Sequence, residues 1–440
     1  MFSFYYYAIA KDFEKNFVAL QAYVEHPKDA DRAFYLNHER VESLPPALAL
    51  SQNSTQNLNN VILFKIELLD EHKKAGDVHV IQVNEHHKGR REPYPKVIRV
   101  YEKQKVELYE SKYALSVYET QKSTLILNVK QVDVHYTSEA PTTQEYSKIT
   151  YGPFSDIEPL TFSQVQLFFT YPYPLPYFSK ATRDIYVSHW GSIAVDEYFY
   201  LYNQAAGING QFSRVDYMPH INPNHGQSAI NSLGTSLPQY IHGLYYYDYI
   251  GNISSSNAER KDDHVAFNIE PRFPIFGQWK TDWNQGYQMP THHHLFQDKA
   301  QPDRHTLEID FMHAYDKSLT EDYTVKVILP EGAHDIKVEL AGDIEPNSVD
   351  VGKYFGTLDY FGRPEIAIKK TNAVHEICDS TFRVTYTFDN QKDLYLEPIC
   401  MFALLFAVYL IAIIYSRIGF TLESKAAGAQ VHDQQSKKSN

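Results

Sequence analysis

Cysteine is scarce in this sequence, and that scarcity excludes several classes of protein at once. Only two cysteines, Cys378 and Cys400, occur among the 440 residues. Two thiols rule out a disulfide framework and every zinc or iron–sulfur motif that needs several cysteines. Cys400 lies within an apolar segment and Cys378 outside it, so no intrachain disulfide is expected. Cys378 is predicted to be a buried structural thiol.

Basic residues are also in short supply. Lysine and arginine number 41 against 54 aspartates and glutamates, which gives a formal net charge of −13. A general nucleic-acid-binding protein should show a basic footprint, so no nucleic-acid partner is expected. Hydrophobic residues make up 43% and charged residues 22%, a balance that excludes wholesale disorder. The mean hydropathy of −0.43 argues against a polytopic membrane protein.

The sequence also lacks the common catalytic signatures. The His-Glu pairs that begin at His38 and His375 have Glu42 and Asp379 where a zinc protease has its second histidine. Neither a G-x-S-x-G elbow nor a Walker phosphate loop occurs. The consecutive histidines 292–294 point in different directions, which indicates a polar loop rather than a metal site. No pair stands out among the acids, so no catalytic residue, metal or cofactor is predicted.

One segment is apolar enough for a membrane. Residues 399–415 contain no charge, glycine or proline. As a helix they would cover about 26 Å, near the lower limit for a bilayer. The predicted transmembrane helix runs over residues 394–416, with Pro398 in its first turn. Ala403 and Ala407 are four residues apart and would allow close helix packing, although ordinary lipid-facing alanines fit equally well.

Charges after this segment predict its orientation. Arg417 and three lysines follow the span, and the positive-inside rule places residues 417–440 in the cytosol as a short tail. The preceding ectodomain would then be lumenal, in a single-pass type I arrangement. Lys437 and Lys438 stand fourth and third from the end, as in the dilysine retrieval signal of endoplasmic reticulum (ER) membrane proteins.

Two sequons in the ectodomain agree with export. Asn53 and Asn252 each open an Asn-X-Ser/Thr tripeptide and are predicted glycosylation sites. Export also needs a signal peptide, but residues 1–10 lack a basic n-region and are more typical of an interior strand. We therefore expect the sequence to be truncated at its N-terminus.

The ectodomain is dominated by short strand patterns. These predict a mainly β fold with two β-sandwich-like lumenal domains, residues 1–150 and 151–393, followed by the single transmembrane helix. The first domain is expected to be incomplete at its start. Residues 12–24 are predicted as a short helix, and a bulge near Lys130 and Gln131 would explain a shift in strand alternation. The predicted strands include residues 61–68, 78–83, 97–101, 123–129, 132–136, 184–188, 324–329, 336–340 and 381–387.

Tyrosine and phenylalanine are abundant, with 35 and 25 residues. The densest runs are residues 198–202 and 245–249. Aromatic side chains fill cores and interfaces, and they can also stack on sugars. A core or interface role is favoured here, and a lectin site stays open.

A family resemblance is carried by several segments between about residue 150 and the membrane. They are residues 151–156 (YGPFSD), 187–195 (VSHWGSIAV), 211–217, 247–254, 271–280, 327–333 and 357–364. In these the chain is similar to the ribophorin I family, the first subunit of the ER oligosaccharyltransferase complex. Glu397-Pro398 at the start of the membrane helix also fits. The first 150 residues match loosely, and the family's signal peptide and opening stretch are missing.

The resemblance implies a non-catalytic subunit. The complex transfers a preassembled high-mannose oligosaccharide from dolichol pyrophosphate to asparagine in Asn-X-Ser/Thr of nascent polypeptides, with its active site and metal on a different, polytopic subunit. Catalytic and accessory subunits are the implied partners, with the protein translocon and nascent chains as further candidates. A scaffold or acceptor-presenting role is implied, on lumenal domains similar to the non-catalytic β-domain of zinc aminopeptidases. Asn252 matches a family sequon, and Asn53 is a weaker match.

Two other functions stay open. One is a dilysine-bearing lectin or cargo receptor of the early secretory pathway, motivated by the aromatic runs and the tail. The other is a membrane-anchored hydrolase, motivated by the unassigned carboxylates and Cys378.

Overall fold

The protein is described here from a computed structural model. The residues it describes are 4–26, 29–35, 38–41, 60–67, 80–129, 133–145, 148–217, 228–253, 256–341, 344–357, 359, 362–388 and 396–418. Strands dominate them, and one long apolar helix stands at the C-terminal end. The prediction of a mainly β protein with one such helix is confirmed.

The described residues before 171 form short strands, most of which make small antiparallel sheets. They are β1 Phe4–Ala10, β2 Phe17–His26, β3 Asp29–Tyr35, β4 His38–Val41, β5 Val61–Glu67, β6 Ile81–His87, β7 Arg91–Pro93, β8 Val97–Ile98, β9 Lys105–Ser111, β10 Thr120–Asn128, β11 Val134–Thr137, β12 Thr143–Gln144, β13 Lys148–Ile157 and β14 Gln164–Thr170. The sheet orders are β1-β5-β4, β3-β2-β6, β11-β14-β9-β7 and β10-β13-β12. None of these four sheets includes a strand from later in the chain.

The described residues from 176 to 388 form a second group. Its strands are β15 Pro176–Val187, β16 Ser192–Asn203, β17 Gly207–Ile208, β18 Leu233–Pro238, β19 His242–Asp248, β20 Gly251–Asn252, β21 Asn257–Arg260, β22 His264–Ile269, β23 Lys280–Pro290, β24 Leu295–Gln297, β25 Arg304–Asp310, β26 Leu319–Ile328, β27 His334–Glu339, β28 Ser348–Tyr354, β29 Arg363–Val374 and β30 Thr381–Thr387. Eight of them form one sheet in the order β20-β19-β23-β16-β15-β26-β29-β28. Neighbours in this sheet are antiparallel except β15 and β26, which are parallel.

Alternation along the strands decides which face of the eight-stranded sheet is buried. In β16, Val195, Phe199 and Leu201 are each at most 1% exposed, whereas Tyr198 and Tyr200 point to the other face. The inner face packs against the sheets β18-β22-β21 and β24-β25-β30-β27, whose side chains join the same hydrophobic cluster. This part of the chain is therefore a sandwich with its core between the layers.

The two groups of sheets are joined by a short parallel pairing and a buried amide. β8 pairs with β17 across the junction. Gln104, 1% exposed, donates from Nε2 to the carbonyl oxygens of Tyr171 at 3.1 Å and Tyr173 at 3.2 Å. Its Oε1 accepts the N–H of Ala206 at 2.6 Å. One side chain thus connects the end of the first group to the second.

Residues 12–24 do not form the predicted helix. Lys11–Asn16 forms a 3-10 helix, and β2 begins at Phe17. From there Leu20 and Ala22 alternate into the core, and β2 pairs with both β3 and β6. Two sheet partners outweigh a weak helical periodicity.

The predicted domain boundary at residue 151 falls inside β13, and sheet partners change only after Thr170.

The predicted bulge and strand ends can be compared with the described strands. Lys130 and Gln131, where a bulge was expected, lie outside the described residues. The flanking strands β10 and β11 belong to different sheets, which itself accounts for the shift in alternation. The strand predicted over residues 381–387 is confirmed as β30, whereas β8 ends at Ile98.

The helices are few in the described chain. α1 Arg214–Tyr217 and α2 His375–Cys378 are single turns, and Thr291–His293 is a 3-10 turn. α3 covers Leu396–Arg417. Its segment Pro398–Arg417 has a mean hydropathy of 2.5 and is not buried within the protein. In length and composition α3 suits a membrane span, as predicted over residues 394–416.

Candidate functional sites

The sequon residue Asn252 lies on a tight hairpin at the edge of the eight-stranded sheet. β19 and β20 pair Tyr247 with Asn252 and Asp248 with Gly251, which leaves a two-residue connection. Asp248 Oδ1 accepts the N–H groups of Ile250 at 2.9 Å and Gly251 at 3.0 Å. Gly251 has φ +140°, a backbone conformation that other residues rarely adopt. Local hydrogen bonds and one glycine therefore define this turn.

Arg272, which follows the hairpin in the chain, stabilises it through hydrogen bonds. Its guanidinium donates to both carboxylate oxygens of Asp248, at 2.5 and 3.0 Å. It also donates to the carbonyl oxygens of Gly251 at 2.9 Å and Asn252 at 3.2 Å. The hydrogen bond from Arg272 lowers the pKa of Asp248 below its usual value. Asn252 itself is exposed, so the turn presents its side chain on an ordered backbone.

The other predicted glycosylation site and the predicted retrieval signal lie outside the described residues. These are Asn53, Lys437 and Lys438, and their roles stay predictions.

The outer face of the eight-stranded sheet carries a group of aligned tyrosines. Register places Tyr247 opposite Asn284, and Asn284 opposite Tyr198 on the next strand. The rings of Tyr245 and Tyr247 stack with centroids 5.8 Å apart and planes inclined by 24°. Asn284 Nδ2 donates to the Tyr247 hydroxyl at 2.8 Å. We call Tyr198, Tyr245 and Tyr247, with Asn284 and Asp196, the tyrosine face.

Gly286 makes room for this arrangement. It lies opposite Tyr245 in the register, and a Cβ there would collide with the tyrosine ring. Tyr245 can therefore lie across β23, and its hydroxyl donates to Asp196 on the strand beyond. The two densest tyrosine runs of the sequence meet on one face because alternate residues of β16 and β19 point there. The intervening Tyr246 is buried in the core, as expected for part of the tyrosines.

A buried ion pair lies on the opposite, inner face of the same sheet. Arg183 Nε is 3.3 Å from Glu197 Oε1, and the two side chains are 6% and 0% exposed. Gln285 Nε2 donates to Glu197 Oε2 at 2.8 Å. Arg183 Nη1 donates to the carbonyl oxygens of Asp310 at 2.8 Å and Met312 at 2.6 Å, which ties the two layers together. Burial raises the pKa of Glu197, against the opposing effect of Arg183.

The sequence contained a signal for this pair that our reading of it missed. Arg183 and Glu197 occupy the apolar phase of two strongly alternating strands, between Ala181 and Ile185 and between Val195 and Phe199. A charge in that phase points into a core, where it needs a partner. Two such charges on consecutive strands indicate that they pair.

His294 of the histidine run and Cys378 are both held by contacts within the fold. His294 has Nε2 2.8 Å from the Tyr240 hydroxyl and Nδ1 3.0 Å from the Glu308 carbonyl oxygen. Cys378 is 1% exposed and belongs to the hydrophobic core, as predicted. Within the described ranges, no group of three or more His, Cys, Asp or Glu residues could hold a metal ion.

Comparison with known proteins adds what geometry alone does not give. The family whose description is Ribophorin I matches residues 2–416, almost the whole chain. The chain belongs to the ribophorin I family.

Named relatives support this assignment to the ribophorin I family. The chain is 33% identical over 339 residues to a Caenorhabditis elegans protein named dolichyl-diphosphooligosaccharide–protein glycosyltransferase subunit 1, a match covering 76% of this chain and 56% of that protein. It is 32% identical to subunit 1A of Arabidopsis thaliana, over 76% of this chain and 53% of the relative. The chain thus spans about half the length of these relatives.

Solved structures add little. The M1 zinc metallopeptidase from Deinococcus radiodurans aligns with a TM-score of 0.27 and 8% identity, over 48% of this chain and 42% of that one. This score is too low to support the expected likeness to an aminopeptidase β-domain.

The match to the ribophorin I family extends into α3 and ends one residue before the helix does. Ala403 and Ala407 are exposed and, four residues apart, lie on one side of the helix. Ala412 is also exposed and lies nearly opposite them, since successive residues turn by about 100°. Ala403 and Ala407 therefore form a pair of small residues on one side of the helix, and Ala412 is a single alanine on the other side.

Proposed function

We propose that this chain is a non-catalytic subunit of an oligosaccharyltransferase in the ER membrane. The observation that carries the proposal is the ribophorin I match over residues 2–416, with relatives named subunit 1 of the dolichyl-diphosphooligosaccharide–protein glycosyltransferase. The complex would transfer a preassembled oligosaccharide from its dolichyl diphosphate carrier to asparagine of nascent Asn-X-Ser/Thr sequences. This chain would assemble with the catalytic and accessory subunits.

A structural role is supported by how the polar groups of the ectodomain are used. Glu197 is bound by Gln285 and faces Arg183 inside the sandwich. Both ring nitrogens of His294 have partners, and Cys378 lies in the core. A general acid, base or nucleophile must reach a substrate, and these groups are held within the fold. We assign the chemistry to a polytopic partner subunit.

The proposed arrangement is single-pass. α3 spans the membrane, the β-rich residues before it face the lumen, and residues 417–440 face the cytosol, where Lys437 and Lys438 would act as a retrieval signal. Two lumenal domains, predicted as residues 1–150 and 151–393, would then serve as a scaffold that holds the acceptor chain or the translocon near the active site.

Purification of the complex tests this proposal. The full chain, tagged at its N-terminus, is solubilised in a mild detergent, and the proteins that remain bound are identified and quantified by mass spectrometry. We expect a polytopic oligosaccharyltransferase subunit in near-stoichiometric amount. An unrelated single-span ER protein with the same tag is the control.

Two results would overturn it. Recovery of the chain alone would remove the subunit assignment. Recovery with coat and cargo proteins, and without the transferase, would favour the cargo-receptor hypothesis.

A further inference from the structure

We propose that the tyrosine face is a carbohydrate-binding surface, and that its ligand is the N-linked glycan carried by Asn252 of the same chain. The inference rests on the lumenal orientation given under the proposed function, because only a lumenal Asn252 is glycosylated. It adds to that function a binding site and the chemical class of its ligand.

The register fixes the side of the sheet from which the glycan would start. Tyr247 and Asn252 are directly paired across antiparallel strands, and paired residues project to the same face. Tyr246 lies in the core, so Tyr247 points to the outer face, and Asn252 shares it. The attachment point therefore lies on the same face as the stacked tyrosines and one strand away from them.

Hydrogen bonds within the hairpin fix the backbone position of Asn252. Arg272 binds the Asn252 carbonyl oxygen and both oxygens of Asp248, and Asp248 in turn accepts two N–H groups of the turn. A fixed root lowers the ordering entropy that a sugar chain loses when it settles on a neighbouring surface. The first sugars would thus be directed over β19 and β23.

The surface has the chemistry that a sugar needs. Tyr247, Asn284 and Tyr198 form a row leading inward from Asn252, on strands about 4.8 Å apart. Tyrosine offers an apolar ring and a polar tip, which suit the C–H faces and hydroxyl edges of a pyranose. Asp196 and Asn284 add hydrogen-bonding groups. Tyr245 remains 37% exposed, so the surface is open among the described residues.

The first measurement is occupancy. Mass spectrometry of the peptide containing Asn252, from the full chain expressed in a eukaryotic secretory pathway, is expected to show a glycan. An unmodified Asn252 would overturn this inference at its premise, whereas co-purification with the transferase would still decide complex membership.

The deciding measurement is a thermal double-mutant cycle on the full chain in detergent. Ser254→Ala removes the sequon without changing Asn252, and Tyr247→Ala removes the nearest ring. We expect loss of the glycan to lower the melting temperature of the parent chain and to have a clearly smaller effect in the Tyr247→Ala background. Tyr247→Phe, which keeps the ring, should behave like the parent. Tyr136→Ala, an exposed tyrosine on β11, is the matched control.

A second readout follows the glycan directly. Release of the Asn252 glycan from the folded protein by a peptide-N-glycosidase should accelerate about threefold to tenfold in Tyr247→Ala, the range expected for loss of one aromatic contact. The Tyr136→Ala control should leave the rate unchanged. An occupied Asn252 with no coupling in the cycle and equal release rates would overturn the proposal.

Discussion

The Arg183–Glu197 pair is the most deeply buried charge pair of the described chain, and its environment decides what a single substitution does. The two groups are 3.3 Å apart inside the sandwich, and Arg183 also binds two carbonyl oxygens of the opposite layer. A buried pair contributes little net stability relative to apolar residues of the same size. Breaking it is costly because one charge is left without its partner.

Glu197→Ala should therefore destabilise the sandwich strongly. We expect a loss of about 3–5 kcal/mol in the free energy of unfolding, measured by urea titration of the detergent-solubilised chain. The double variant Arg183→Met, Glu197→Leu should lose much less. If Glu197→Ala cost no more than Lys369→Ala, which removes an exposed ion pair with Asp350, the pair would be irrelevant to stability.

Asp184, on the outer face, carries a negative charge that burial makes unfavourable. Burial raises its pKa from 3.8 to about 6, Glu365 and Asp196 add to the shift, and Lys326 opposes it. The folded state thus binds the proton more tightly than the unfolded state. The stability contributed by protonated Asp184 is present below about pH 3.8 and is lost as the pH rises through about 6.

Asp184→Asn should stabilise the protein at pH 8 and not at pH 4. The expected gain is on the order of 1 kcal/mol after allowance for solvent screening, read as the difference in melting temperature between the two pH values. Asp350→Asn is the control, because Lys369 lowers the pKa of Asp350 and its removal should bring no gain at pH 8. Equal effects of Asp184→Asn at both pH values would contradict the assignment.

At the scale of elements, period-two alternation was the reliable signal. It agrees with β26 and β30, whose sheets bury one face and leave the other partly exposed. The strand β5 was predicted from its β-branched residues instead, and it is buried on both faces at Ile62, Leu63 and Phe64. Alternation failed for residues 12–24, where long-range partners rather than local pattern make β2 a strand. Neither the sheet order nor the meeting of Asn252 with the tyrosines could be predicted, because both depend on register between strands distant in sequence.

The small-residue side of α3 gives a prediction at the same scale. Ala403→Leu combined with Ala407→Leu should reduce recovery of a partner membrane subunit in detergent, because two added side chains keep a second helix from close approach. Ala412→Leu adds one such side chain on the opposite side and should leave recovery unchanged. Equal recovery of all three chains would show that these alanines face lipid.

At the scale of the whole molecule, the junction between the two groups of sheets includes the β8–β17 pairing, polar contacts such as Lys88 with Glu321, and the buried amide of Gln104. This single amide satisfies two carbonyl acceptors and the N–H of Ala206. A buried carbonyl or N–H group that loses its hydrogen-bond partner lowers the free energy of unfolding.

Gln104→Ala should lower the free energy of unfolding by about 1–3 kcal/mol and let the two groups unfold separately. The measurement is a scanning calorimetry trace, with a second transition or a lowered melting temperature as the expected result. Gln82→Ala, at an exposed position on β6, should change stability by less than about 0.5 kcal/mol. A single unshifted transition for Gln104→Ala would mean that the junction is held elsewhere.

The parallel contact between β15 and β26 has a consequence for biosynthesis. The chain is made from its N-terminus, so β15 is complete at Val187 long before Ile328 has been added. At about 5–20 residues per second the wait is roughly 7–28 seconds. During that interval one edge of β15 has no neighbour, and an open edge invites pairing with other chains. The centre of the sheet therefore stays open until β26 is made, and during that time it is the part most in need of a chaperone.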